Sequence, residues 1–529
     1  MEHIVLRTDS IASEEKAGGS GSSGPGVHFS VLSALGVQFS VTGAPLTLGT
    51  YLSLTIGVGG SPAYFWGFIM VGFFQLAVGL AVSELASAIP HTSGWPTPLH
   101  TALKTPQLME RAALGPAHWV VALAPPQYRR GVGYTMGWLL NCAWFCITSA
   151  SCLYPAQLTL ALVQANHPDF NSASYHVYLL YIFFALVFLI LNLPIALKSL
   201  AYILSAAVFL FNGSAIYILI ILLARATPKQ SANVVFVEFV NETGWSSDGW
   251  VFFIGLLPAV AILGVFDSAT HLTNELENPS KQVPVVLLGS LGLSITVGVP
   301  MILVYQFCNT DPASMLEPVG GQPLVQLLLN ATSSLALTNV GISLVILCFC
   351  LAGTSALVSW SRLYWSFSRE GALPFSGRMS KLTSQDGVPL NALLWNTLLC
   401  LALGTVSIGS TTAMNALFGA SGLCSSMSLI GAMGLALWNG RDCLDNNRWL
   451  NLGRWGNAIF WVALVWTVFM CVAISMPLYR PVTPSTMNWA SVVFLGFVFV
   501  SGVYWVCVFS RAKRPQHTEV VPIDATDKA

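Results

Sequence analysis

Apolar runs of about 20 residues, separated by short polar connectors, recur along the chain from residue 31, and each is long enough to cross a bilayer as a helix. They fall near 31–57, 63–88, 132–164, 175–194, 201–223, 250–271, 284–307, 336–361, 391–407, 411–437, 457–477 and 488–509. The pattern predicts an all-α polytopic membrane protein with 12 transmembrane helices. Two of the runs are interrupted. In span 1, Ser40-Val41-Thr42-Gly43-Ala44-Pro45 sets Gly and Pro inside apolar sequence; in span 6, Gly264 stands near Asp267, with Ser268, Thr270 and His271 close behind. A helix broken at the midplane exposes backbone groups that only a buried or water-lined cavity can satisfy. Spans 1 and 6 are five apart. That spacing predicts a 5+5 inverted-repeat transporter fold, in which spans 1–5 and 6–10 are the repeats, helices 1 and 6 are discontinuous, and spans 11 and 12 are appended.

Composition supports the membrane assignment: 54% of the 529 residues are hydrophobic and only 8% are charged, against about 25% charged in soluble domains. The net charge of zero gives no argument for a nucleic acid partner. The 11 cysteines show no pairing pattern and no metal-ligand spacing, so no metal is expected. Residues 1–28 mix charge with a Gly/Ser-rich tract and are expected to be a disordered cytoplasmic tail; without an apolar core near the start they do not resemble a cleaved signal peptide. The transporter domain is expected over 31–510 and a cytoplasmic tail over 511–529. A cytoplasmic N-terminus leaves only Arg225, Lys229 and Arg480, of 22 basic residues, on the outer side, so both termini are expected to be cytoplasmic. The sequons at Asn241 and Asn330 then fall in outer loops as candidate glycosylation sites, while that at Asn212 lies within a span.

The intramembrane carboxylate is the strongest functional signal, because a charge at the bilayer centre costs about 2.5–3.5 kcal/mol on insertion scales. Asp267 has two readings: it caps the half-helix that follows, or it contacts substrate or coupling ion. Freed N–H groups at such breaks suit a carboxylate and freed carbonyls suit an ammonium, so the site fits a zwitterion or small cation. In span 3, Asn141 and Trp144 lie three apart on one face, where an aromatic ring could cage a quaternary ammonium. Glu84, near the cytoplasmic end of span 2, reads as a structural or gating residue able to pair with loop arginines, ahead of the alternative of substrate contact. His271 reads as a polar residue near the cytoplasmic exit or as a proton relay. In span 8, Gly353-Thr354-Ser355 and Ser359 could coordinate sodium against span 1, or could hydrogen-bond a neighbouring helix.

Several ordered segments carry a resemblance. SELASAIPHTSG after span 2, HWVVALAPPQYRR before span 3, GVFDSATHLTNELENPSKQVP across span 6, SRLYWSFSREGALPF after span 8, and LGRWGNAIFWVALVWTVF with PVTPSTMNWASVVF across the last two spans resemble the amino acid and choline transporter family. This family is widespread in fungi, within the amino acid, polyamine and organocation superfamily. The resemblance implies proton-coupled secondary active uptake of an amino acid or small amine, such as choline or 4-aminobutyrate, across the plasma membrane. Sodium coupling is the alternative, and no cofactor is implied. By position, Thr42, Gly43 and Ala44, with Gly264, Phe266 and Asp267, fall where the superfamily holds its substrate. Asp267 also lies near a position that is acidic in some proton-linked members. One departure is the stretch 95–117, which separates TSG from HWV: either a loop insertion or a splicing error. Other functions consistent with these residues are a non-transporting nutrient receptor and an exporter or exchanger of a biosynthetic metabolite. No nucleophile motif or spaced His cluster points to an enzyme.

Overall fold

A computed structural model of the chain describes residues 30–89, 115–264, 267–382, 388–409, 411–484 and 486–511. The two expected tails, apart from Arg511, and residues 95–114 of the 95–117 stretch lie outside the described residues. Within them the regular structure is helical, with one isolated bridge between Val58 and Asn241.

Among the described residues, twelve helical segments are long and apolar enough to cross a membrane: Val31–Thr50, Gly60–Ala88, Arg129–Asn166, Ser174–Asn192, Tyr202–Arg225, Asp248–Thr273, Pro279–Phe307, Leu335–Ser368, Leu390–Gly409, Ala416–Asn439, Gly453–Ala473 and Ala490–Phe509. In this order they are spans 1 to 12. Every predicted run has its helix, and the two ends that differ most do so by seven residues each. Span 1 was expected to reach residue 57, but its ladder stops at Thr50, where the Tyr51 N–H turns back to the Leu48 carbonyl at 3.3 Å. Span 8 was expected to end at 361 and continues to Ser368. Its polar continuation is taken inside the protein: Arg362 is 3% exposed, and Ser361, Ser366 and Ser368 are also buried. The Ser361 hydroxyl donates to the Val358 carbonyl at 2.8 Å, and polar residues buried against protein do not end a helix at the lipid boundary.

Helix pairing reveals the internal repeat. Span 2 packs on span 7, span 3 on span 8, and span 4 on span 9; span 5 packs on span 8 as span 10 does on span 3, and span 4 on span 8 as span 9 does on span 3. Exchanging each span for the one five away maps these pairs onto themselves, the relation expected of two inverted halves. Spans 11 and 12 stand outside this relation, span 11 against spans 2 and 10 and span 12 against spans 10 and 3. Side chains facing lipid, such as Phe183 and Ile190 on span 4 and Leu495 and Phe499 on span 12, are apolar and exposed. Lipid tails match them chemically, so no hydrophobic force drives such faces inward. All 11 cysteines are free thiols.

Candidate functional site

The break in span 1 follows from one residue. Gly43 adopts the left-handed conformation (φ 52°, ψ 24°) between the half-helices Val31–Thr42 and Ala44–Thr50, a region that disfavours residues with a Cβ. Its N–H closes the first half on the Phe39 carbonyl at 2.8 Å, and its carbonyl starts the second by accepting from Leu46 and Thr47. Pro45 follows in the first turn, where its missing N–H breaks no bond. The Thr42 hydroxyl donates to the Gln38 carbonyl at 3.0 Å, so it is held against its own half-helix.

Span 6 breaks by a different route. Its α-helix Leu257–Leu263 ends at Gly264 and resumes as a tight 3-10 segment, Ser268–Glu275. Phe266 lies outside the described residues. Asp267 precedes the 3-10 segment, yet its side chain forms no capping bond. The Asp267 carbonyl accepts from the Thr270 N–H (2.9 Å) and hydroxyl (2.6 Å). Its carboxylate Oδ2 lies 3.6 Å from His271 Nε2, with both side chains buried. The His271 ring meets Trp144 of span 3 edge-on, with centroids 5.3 Å apart. The carboxylate, imidazole and indole thus form one buried group at the break.

Three ties lock spans 1, 6 and 8 together around it. Gln38 Oε1 accepts from the Ala269 N–H at 2.9 Å. The Ser268 and Ser359 hydroxyls share a hydrogen bond of 2.7 Å, as do those of Ser40 and Ser355. The Thr354 hydroxyl donates to the Cys350 carbonyl at 2.8 Å. Each span 8 hydroxyl considered as a sodium ligand therefore has a protein partner.

Span 3 presents unmatched polar atoms to the same region. Asn141 Nδ2 donates to the Gly137 carbonyl at 2.8 Å, but its Oδ1 has no partner among the described residues; neither do Trp144 Nε1, Thr148 Oγ1, or Trp360 Nε1 on span 8. Asn141, Trp144 and Thr148 recur at helical spacing on one face. An orphaned buried polar group costs about 1–3 kcal/mol, so such a cluster marks where a polar ligand would be held. Gln38, Thr148 and Trp360 were missed in the sequence. Gln38 could have been found as a lone polar side chain one turn before Thr42, and Thr148 by extending the Asn141–Trp144 spacing by one turn. The connection between spans 2 and 3 also reaches this break: Gly115, at φ 55°, leaves no room for a Cβ beside Thr270 and His271. A short helix of its own, Pro116–Leu123, carries the chain away toward span 3.

Glu84 belongs to a separate group. Fully buried, it accepts from Arg441 Nη2 (2.7 Å) and Nε (3.2 Å), Arg448 Nε (2.8 Å) and the Leu452 N–H (3.2 Å). All four donors come from the connection between spans 10 and 11, so Glu84 is paired with loop arginines. Asn241 and Asn330 both lie in connections leading from an odd to an even span, hence on one membrane face. Asn241 Nδ2 donates to the Trp245 carbonyl (2.9 Å) and Asp248 Oδ1 (2.8 Å), so a glycan there would displace one of these bonds. Asn330 Nδ2 donates to Ser314 Oγ at 2.7 Å. Asn212 lies within span 5, its amide bonded to the Val208 carbonyl.

Residues 29–499 match the protein family described as amino acid permease. Similar proteins include a choline transporter of Saccharomyces cerevisiae, 28% identical over 481 residues, covering 90% of this chain and 80% of that protein. The transmembrane transporter swnT of Metarhizium robertsii is 29% identical over 481 residues, covering 90% of each chain. The amino-acid permease BAT1 of Arabidopsis thaliana is 26% identical over 503 residues, again covering 90% of each. With the family matched across nearly all 12 spans, the chain belongs to the amino acid permease family, a family of membrane transporters and not of enzymes.

Proposed function

We propose that the chain imports an amino acid or a small amine such as choline by proton symport, alternating access around the breaks in spans 1 and 6. The observation that carries this reading is the buried Asp267–His271 pair at the span 6 break, 3.6 Å apart, with the Trp144 ring edge-on against His271. A carboxylate in a dry site attracts an ammonium or a proton strongly, because opposite charges interact far more in low dielectric than in water. The Trp144 ring adds a face for a quaternary ammonium. A substrate carboxylate would sit at the span 1 break, on N–H groups freed at the start of Ala44–Thr50.

Proton coupling is supported by the buried Asp267 carboxylate, which lies 3.6 Å from His271 at the break and can carry a proton. In this reading Asp267 takes the proton, and its neutralisation lets the loaded site move between the two faces. Both termini lie in the cytoplasm of a plasma-membrane protein, an orientation supported by the distribution of Lys and Arg.

The test is uptake of a radiolabelled panel (choline, 4-aminobutyrate, ethanolamine, neutral and basic amino acids) in cells lacking their own permeases, with and without a proton uncoupler. Accumulation of one substrate that collapses with the uncoupler is the expected result. Binding without flux would replace the transporter reading with a receptor; accumulation that follows sodium and ignores the uncoupler would overturn the choice of ion.

A further inference from the structure

A groove of about 400 Å³ opens where the connection after span 8 meets the start of span 9. Its rim carries Arg378 and Lys381, both exposed, and neither pairs with a carboxylate among the described residues. The rim is fixed in place: Asn391 Nδ2, at the start of span 9, donates to the Arg378 carbonyl at 3.0 Å. The inner wall is Trp395, whose Nε1 donates to the Tyr364 hydroxyl at 2.9 Å and whose ring meets that of the exposed Phe375 edge-on at 5.0 Å. Below the rim, Leu394 and Leu398, 46% and 54% exposed, continue one face of span 9 into the bilayer.

Reading outward from the hydrocarbon, the groove therefore presents an apolar strip, an aromatic pair at interfacial depth, and two cations with no carboxylate partner among the described residues. This is the order in which a glycerophospholipid presents its acyl chain, glycerol and phosphate. Aromatic side chains favour the interfacial level, and basic pockets between spans recognise anionic headgroups. We propose that this groove is a binding site for an anionic phospholipid of the surrounding leaflet, with the headgroup phosphate between Arg378 and Lys381 and one acyl chain along Leu394 and Leu398. A soluble phosphate would use the two cations but gain nothing from the strip. A zwitterionic lipid would bring its own cation against Arg378 and Lys381.

The test is native mass spectrometry of the full-length, delipidated protein titrated with phosphatidylserine, phosphatidylcholine or soluble glycerophosphoserine. Each basic side chain near an anionic surface is worth about a fivefold change in affinity, so Arg378→Gln with Lys381→Gln weakens phosphatidylserine binding roughly thirtyfold. Phosphatidylcholine binding is expected to be unchanged. Arg454→Gln, an exposed cation elsewhere in the basic connections, controls for diffuse surface charge and is expected to leave phosphatidylserine affinity intact. Both target side chains are exposed, so the double variant is expected to fold; if its melting temperature falls, the single variants, each about fivefold weaker, decide the matter. Unchanged phosphatidylserine affinity in the Arg378/Lys381 variants, or equal weakening by Arg454→Gln, overturns the site. Glycerophosphoserine binding as tightly as the whole lipid overturns the role of the apolar strip.

Discussion

Replacing Glu84 by Gln is predicted to be among the most destabilising single changes in the protein. The side chain keeps its shape but loses its charge, and its new N–H₂ group faces guanidinium donors that need an acceptor. Arg448 retains the carbonyls of Leu444 and Asp445 and the Asn451 amide oxygen. Arg441 is the stranded partner: its side chain is 8% exposed, and its remaining acceptor among the described residues is the Gly453 carbonyl at 3.1 Å. Breaking a buried pair from one side costs about 3–5 kcal/mol because a charge is left uncompensated. The lower end applies here, since the connection can relax toward the membrane surface and water. At roughly 2–4 °C per kcal/mol for medium-sized domains, and less for longer chains, the melting temperature falls by roughly 5 °C. The assay is intrinsic tryptophan fluorescence of the detergent-purified protein at one fixed scan rate, since unfolding of large proteins is often kinetically controlled. The double variant Glu84→Gln with Arg441→Gln should be less destabilised than the sum of the singles, with a coupling of about 0.5–3 kcal/mol. A shift below about 1 °C for Glu84→Gln, or additive single effects, would refute the assignment of this cluster as a buried tie between span 2 and the span 10–11 connection.

Gly456→Ala should reproduce the Glu84 effect from the other side, because a Cβ at that position would occupy the place of the Arg441 guanidinium; the same melting assay reads it. Gly43→Ala forces a left-handed Cβ, costing about 1–2 kcal/mol, and brings it to 3.2 Å from Phe211 Cε1, so uptake should fall more than surface expression does. Trp144→Phe keeps the ring against His271 but removes the unpartnered N–H. It should raise the KM for substrate about 2–10-fold, the worth of one hydrogen bond, with little change in maximal rate; an unchanged KM would remove Trp144 Nε1 from the site.

The spans were legible in the sequence because their signal is length and apolarity alone, and the breaks because Gly43 with Pro45, and Gly264 with Asp267, interrupt such runs at positions five spans apart. The faces were far less legible. A helix bordered by lipid on one side and apolar protein on the other is hydrophobic all round, and no periodic stripe reveals which side turns inward. Ser268 and Ser359, or Ser40 and Ser355, therefore give no sign in sequence that they meet. The Glu84 partners were legible by chemistry, as loop arginines, but not by identity, since 357 residues separate Glu84 from Arg441. The end of span 8 was misplaced because Arg362 and its neighbouring serines look like a loop by composition, whereas the protein buries them within a continuing helix.

The central claim, that Asp267 couples substrate movement to protons, is tested most directly by comparing wild-type protein with Asp267→Asn in proteoliposomes carrying an imposed pH gradient. The substrate is the one identified by the uptake panel. The account predicts that the wild type concentrates it above the outside level, while the variant is folded and exchanges substrate but does not concentrate it. Wild-type accumulation by Asp267→Asn would contradict the account and assign the coupling to another group.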